Sequence, residues 1–382
     1  MTQGWIPATF YRGGTSKGVF FHARHLPGAR ADIEPILLAV MGTPDPYGRQ
    51  LNGMGGGMSS LSKAVIIGPP THPDADVDYT FIQLAVDRPI ADWSGNCGNL
   101  SSAVGPFAVD EGLVEVADGE ATVRFHQTNT KKIIHARFRV EDGRAAVDGD
   151  MEIGGVAGTG APVRLDFVKP GGATTGKLLP TGNVVDRVTL PGGRSFEMSL
   201  VDASHPTAFV RASDVGLTGT ESPDAIEADA DLLSLLDQLR RQAGVMMGLG
   251  ETPEGVTLMS PRVAMVAAAA PFVGIDRVMN DGNYDIATRM LSMERAHRAV
   301  PLASSLCLAV ACRIEGAIPH LLSRKLAEGA PIRVGNPSGI LSLGADVRND
   351  GGWIADSAGV YRTARRLMQG EVAVPKRLLA GR

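Results

Sequence analysis

Three short segments bring reactive side chains together with flexible backbone. Cys97 stands in SGNCGNLSSAVG (94–105), among glycines and asparagines, directly ahead of a small, apolar, helix-like run. A thiol in the first turn of a helix feels the dipole and the unpaired backbone N–H groups, which favour the thiolate. It suits a proton donor or acceptor, a nucleophile or a thiolate ligand; the bland alternative is a small buried hydrophobe. That alternative is the reading for Cys307 and Cys312, which lie inside the second apolar run, LASSLCLAVAC. Lys63, in SSLSKAVIIGPP, sits one residue before a continuous apolar strand. An amine at the mouth of a buried strand is desolvated, which lowers its pKa toward neutrality and makes it a candidate base. A solvated surface charge is the competing reading.

The third segment is RGGTSKG (12–18). Its hydroxyls (Thr15, Ser16), backbone amides and cations (Arg12, Lys17) suit an anion, although the order of a phosphate loop, Gly-x-x-x-x-Gly-Lys-Ser/Thr, is absent. A glycine turn with charged flanks is the alternative. GMGGGM (53–58) lacks the third glycine of a dinucleotide loop, and GNPSG (335–339) offers Ser338 as a further carboxylate-binding turn. The eight histidines are scattered without HExxH or Cys-x-x-Cys spacing, so no metal is expected. His205, beside Pro206 and Thr207, is the one histidine in a site-like turn and reads as structural or substrate-orienting. No GxSxG elbow is present.

These residues need elements to position them. IPATFYRGG and GVFFHARH read as strands, and ARADIEPILLAVMG as a helix with Ile33, Ile36, Leu37 and Val40 on one face. SKAVIIGPP and VDYTFIQLAV are strands; LSSAVGPFAVDEGLV is a helix apolar all round and therefore buried on all sides. ATVRFHQTNTKKIIHARFRV reads as a hairpin. The polar stretch LLPTGNVVD marks a boundary, giving domains 1–182 (completed by a last strand, 365–382) and 183–364. The second domain loosely repeats the plan. RSFEMSLVDASHPTAFVRASDVG makes strands around a His-Pro turn, DLLSLLDQLRRQAGVMMG an amphipathic helix, and PRVAMVAAAAPFVG a strand. LASSLCLAVACRIEGA makes a second buried helix opening at Ala303, Ser304 and Ser305. Two such helix starts facing each other would cradle a substrate with two or more carboxylates.

Composition excludes several classes. At 382 residues the chain is long enough for one large or two medium domains. A net charge of −4 leaves no basic footprint for nucleic acid. No run of about 18 apolar residues spans a membrane, and MTQGWIPATFYRGG lacks the pattern of a signal peptide. Three cysteines make no disulfide framework, so a reduced, cytoplasmic protein is expected. Glycine is abundant, at 47 residues, but apolar strand-like runs separate its clusters, which argues for tight turns rather than disorder.

YRGGTSKGVFF, GTPDPYGRQLNGMGGGMSSLSK, DWSGNCGNLSSAVGPFA, LLPTGN and GNPSG occur in this order. Together they resemble the 2-methylaconitate cis–trans isomerase family, with its methylitaconate Δ-isomerases and 4-oxalomesaconate tautomerases, in the diaminopimelate epimerase-like superfamily. The resemblance spans nearly the whole chain. It implies an α+β fold of two pseudo-symmetric domains, each a curled mixed β-sheet or barrel around a central buried helix, with the active site in the cleft between them. It implies Lys63 and Cys97 as the catalytic pair, and neither metal, pyridoxal phosphate nor nucleotide. Two positions depart from the family pattern: Ala303, Ser304 and Ser305 where relatives often carry Thr-Gly, and SHPT at 204–207. Both bear on the substrate rather than on the reaction class.

The expected function is a cofactor-independent isomerase of an unsaturated di- or tricarboxylate, with Lys63 as base and Cys97 as acid or positioning group, or the reverse. The amides of Gly98, Asn99 and Leu100 and those at 304–306, with Lys17 or Arg12, are the expected stabilisers of the carbanion. Ser62, His205 and Ser338 complete the expected substrate-binding set. A homodimer is the expected assembly. 4-Oxalomesaconate tautomerisation is the alternative within the class; an accessory protein of an iron–sulfur dehydratase is the alternative outside it. An amino-acid epimerase with two thiols would want a cysteine where Ser304 and Ser305 stand, and Cys307 falls two residues late.

Overall fold

The computed structural model of the chain describes residues 2–274, 278–292, 295–327 and 329–379. Its contacts divide into two units, Met1–Leu165 with Arg362–Arg382, and Asp166–Tyr361.

The first unit opens on a hairpin of β1 (Gln3–Gly13) and β2 (Ser16–His22). Helix α1 (Arg30–Met41) then crosses over to β3 (Lys63–Gly68), which lies parallel to β2. β4 (Val77–Leu84) returns antiparallel to β3, with the short β5 (Ala91–Asp92) beside it. A second crossover holds α2 (Gly98–Ser101) and α3 (Val104–Asp110) and leads to β6 (Gly119–Gln127), parallel to β4, and β7 (Lys132–Glu141), antiparallel to β6. The strand Pro162–Val168 pairs with β7, the strand Trp353–Pro375 pairs with β1, and these two pair with each other, so the sheet closes on itself.

Both faces of this sheet are covered, which is why β2 and β3 are buried at nearly every position instead of alternating. On one face Val19, Phe21, Ala64 and Ile66 pack with Ile33, Ile36, Leu37 and Val40 of α1, the helix face read from the sequence. On the other, the rings of Tyr11 and Phe20 lie 5.2 Å apart, and each meets Phe107 of α3 at 6.0 and 5.4 Å. Burying a side chain such as Phe107 contributes about 1.5–3 kcal/mol.

The helix expected over LSSAVGPFAVDEGLV is two short ones. Ser102 and Ala103 donate to Asn99 and Leu100, three residues back, which tightens the chain between α2 and α3. Pro106 has no N–H to give the carbonyl of Ser102. The burial expected of the segment holds, for every residue from Ser101 to Val109 is buried.

The second unit repeats the order of elements. Ser195–Ala203 and His205–Arg211 form a hairpin, Ala230–Met246 is the crossover helix, and Arg262–Ala268 runs parallel to His205–Arg211. Ile286–Ser292 returns antiparallel, helix Leu302–Ala311 crosses over, and Ile332–Asn336 and Gly339–Asn349 finish the set. The helix Ala230–Met246 is amphipathic as expected, burying Leu232, Leu236 and Leu239 among Met198, Leu200, Val210 and Met265. The hairpin turns at Ser204, with φ of +62°, rather than at His205-Pro206, which begin the second strand. The LLPTGN segment lies within this unit: Thr181 and Asn183 donate to Asp186, and Asp202 receives the amides of Thr174 and Thr175. Among the described residues no helix is long and apolar enough to cross a membrane.

Candidate active site

Cys97 is the N-cap of α2. Its backbone is extended (φ −112°, ψ 99°), its carbonyl accepts the first helical bond from the Ser101 amide at 2.9 Å, and its sulfur accepts from the Leu100 amide at 3.5 Å. The thiol is 9% exposed, and its sulfur lies 4.0 Å from the Ser16 hydroxyl. Among the described residues the amides of Gly98 and Asn99 make no hydrogen bond. The Leu100 amide, expected to face an anion, is committed to the cysteine sulfur instead.

The RGGTSKG segment is the β1–β2 turn and lies against α2. A Cβ on Gly14, whose φ is +51°, would stand 2.3 Å from Asn99 Oδ1, and one on Gly18 would stand 2.9 Å from the Lys63 carbonyl oxygen. These glycines let the hairpin approach the helix start. Thr15 Oγ1 accepts from Asn99 Nδ2 at 3.0 Å. Strand alternation corrects two expectations. Ser16, Gly18 and Phe20 share the face that meets α2 and α3, so Lys17 and its cross-strand partner Arg12 belong to the opposite face. There the Lys17 ammonium lies 5.7 Å from the ring of Phe10, while the Arg12 guanidinium donates to the carbonyls of Gly14 and Thr363.

Lys63 begins β3 on the same face as Ser16 and is 7% exposed. Its ammonium donates to Oε1 of Gln83, the residue opposite it on β4, and lies 5.1 Å from the Phe81 ring. Burial lowers its pKa below the ordinary lysine value, and negative charge on the Cys97 sulfur pushes it back up. The amine and the sulfur are thus electrostatic neighbours. Ser62, expected at the substrate, is wholly buried; its hydroxyl accepts from Gln50 Nε2 at 2.7 Å and holds the preceding glycine loop. The same Gln50 donates to Thr43 and accepts from the Gly57 amide.

Four residues of this cluster escaped the sequence reading: Gln83, Gln50, Tyr79 and Arg362. Tyr79 donates to the Cys97 carbonyl at 3.5 Å, and its phenol is held well above its ordinary pKa by burial and then by Cys97. Arg362 Nε donates to Asn99 Oδ1 at 3.3 Å; burial lowers its pKa and charge on Cys97 raises it. Gln83 had a faint signal, as a polar residue two positions after Phe81 in an apolar strand. Arg362 had none, being one of several arginines in VYRTARR.

In the second unit, helix Leu302–Ala311 starts earlier than expected, with Pro301 as its N-cap. The Ser305 amide already donates to the Pro301 carbonyl and the Ser305 hydroxyl to Leu302, so the donors expected at 304–306 are largely consumed inside the helix. The open amides are those of the first turn, Leu302 to Ser304. Ser304 Oγ accepts from Arg262 at 2.8 Å, and Arg262 is a cation missed by the sequence reading. Burial and then Arg262 push the His205 imidazole down to about 4, so it is neutral at pH 7. Ser338 is turned to the protein: its amide donates to Asn336 Oδ1 and its hydroxyl to the Arg298 carbonyl. Cys307 and Cys312 are packing residues, as expected. Cys307 donates to the Val201 carbonyl, and burial pushes its thiol up to about 12.

The family model described as PrpF protein matches residues 3–375. The chain is 40% identical to a 3-methylitaconate isomerase of Eubacterium barkeri over 376 residues, covering 97% of each chain. It is 40% identical to a 2-methyl-aconitate isomerase of Cupriavidus necator over 385 residues, again covering 97% of each. The crystal structure of a methylitaconate-delta-isomerase, 38% identical, superposes with a TM-score of 0.85 over 100% of this chain and 98% of that one. The α+β fold and the isomerase reading are therefore borne out, and the chain belongs to the PrpF protein family.

Proposed function

We propose that the chain isomerises an unsaturated di- or tricarboxylate of the methylitaconate and methylaconitate class by moving one proton, with protein side chains alone. The observation that carries this reading is the pairing of a desolvated amine, Lys63, with a thiol at a helix N-cap, Cys97, on one face of one sheet. The substrate carries an allylic C–H next to a carboxylate-bearing carbon. The neutral amine of Lys63 takes that proton, and the electron pair left behind spreads over the allyl system with enolate character. Return of a proton to the same carbon, after rotation, gives cis–trans isomerisation. Return to the other end of the allyl system shifts the double bond. The proton comes back from the Lys63 ammonium, or from the Cys97 thiol, in which case the Lys63 ammonium then reprotonates the thiolate; either way the enzyme ends as it began.

The anion is the costly species. The unpaired amides of Gly98 and Asn99 and the cationic Arg362 are the groups that stabilise it; such a donor is worth about 3 kcal/mol in a dry site. Proton NMR in deuterated water against aconitate, 2-methylaconitate, methylitaconate and oxalomesaconate tests the reading. One compound is converted, and deuterium enters at one or both ends of the allyl system. Conversion of none of the four, or conversion at the wild-type rate by Lys63→Met, ends the proposal.

A further inference from the structure

We infer that Gln83 is a positioning residue for Lys63: its side-chain amide aims the amine while withholding a counter-ion from it. This rests on the reading of Lys63 as the base. Lys63 and Gln83 face each other across the antiparallel β3–β4 pair, so their side chains run together off one face of the sheet. The orientation of the Gln83 amide is determined by its other end. Nε2 donates to the carbonyls of Ser62 at 2.9 Å, Ser59 at 3.0 Å and Leu84 at 3.3 Å. A flipped amide would set oxygen against those three carbonyls, so Oε1 is held toward Lys63, where it accepts from Nζ.

Among the described residues no carboxylate pairs with Lys63, and the Cys97 thiol is the acidic group that acts on it. The chemistry of that choice is specific. An amide oxygen accepts an N–H from a neutral amine as well as from an ammonium, more strongly from the latter, but it brings no net negative charge. It therefore directs the nitrogen with less bias toward the protonated state than a full negative charge would impose, and the lone pair of the neutral amine points away from Gln83. A carboxylate at the same place would favour the ammonium and hold the base in its inactive form.

The test uses Gln83→Glu and Gln83→Met in the full chain, with two readouts. One is the Lys63 pKa in the free protein, from the pH dependence of its side-chain NMR signals. The other is the pH profile of kcat/KM with the substrate identified by the deuterium assay. In Gln83→Glu the Lys63 pKa rises by about one unit or more, and the acidic limb of kcat/KM moves up by the same amount, a loss of about tenfold at a pH below the limb. Gln83→Met, close in size and uncharged, keeps the test open if the glutamate disturbs folding. It is expected to lower kcat about tenfold or more with KM little changed. Wild-type titration of Lys63 and a wild-type profile in both variants would overturn the inference. A Lys63 pKa that moves while the profile stays still upholds Gln83's hold on Lys63 and removes Lys63 as the base.

Discussion

The two units place different groups at the same point of the same plan. In each, a hairpin strand lies parallel to the strand after the crossover helix, and the first residue of that later strand is a cation. In the first unit it is Lys63, in the second Arg262. In each, a buried helix comes after the strand that returns antiparallel to that later strand. In the first its N-cap is Cys97; in the second its N-cap is Pro301, and Ser304 accepts from Arg262. A lysine gives up its proton when desolvated, whereas a guanidinium stays charged in proteins. A thiol ionises far more readily than a serine hydroxyl. Under the proposed function, one copy of the plan moves protons and the other holds charge.

The sharpest way to break this contrast is to give the first unit the cation of the second. Lys63→Arg is expected to lose about a thousandfold in kcat, as much as Lys63→Met, because charge without a removable proton is no base. The methionine variant has an opposite effect on stability. The folded pKa of Lys63 is below the free value of 10.5, so the native state binds fewer protons than the unfolded chain between those two values. Native stability therefore rises with pH through that window, and below it the buried ammonium is a burden. Lys63→Met should melt higher than the wild type at neutral pH, measured by calorimetry.

Cys97→Ala is expected to lower kcat about a hundredfold and to destabilise by about 1 kcal/mol through the lost cap of α2. Cys97→Ser keeps a cap acceptor, so its melting temperature should recover while its rate does not. Equal recovery of both would reduce the sulfur to a cap and erase the contrast with the second unit.

Two weaker perturbations act on the supports. Gly18→Ala sets a methyl 2.9 Å from the Lys63 carbonyl oxygen and should cost about 1–3 kcal/mol in urea unfolding. In the second unit, His205 titrates at about 4 when folded, against 6.5 when free. A depressed histidine contributes stability that is present above the free value and lost as pH falls through the folded one. His205→Asn should flatten the acid limb of the stability curve between pH 6.5 and 4, by under about 1 kcal/mol after solvent screening of this half-buried group.

Much of this was legible one segment at a time. The apolar faces of α1 and of Ala230–Met246, the burial around Phe107, and the promise of Lys63 and Cys97 are local properties, set by periodicity and by the residue types beside them. The start of Leu302–Ala311 was harder to place: serine is the commoner N-cap, yet here Pro301 holds that position and Ser304 and Ser305 fall inside the first turn. Arg12 and Lys17 were misjudged for another reason. Alternation assigns them to one face of the hairpin, but nothing in RGGTSKG says which face α2 will cover.

The chain by itself determined which groups are able to act: one thiol beside glycines, one lysine at the mouth of an apolar strand, and the elements that bury them. Only the tertiary structure decided their company. Gln83 meets Lys63 through strand register, and Arg362 reaches Asn99 across a sequence separation of 263 residues. The physical reason is that desolvation is a property of a short segment, whereas a charge or an amide oxygen acts over a few ångströms of space, whatever the length of chain between.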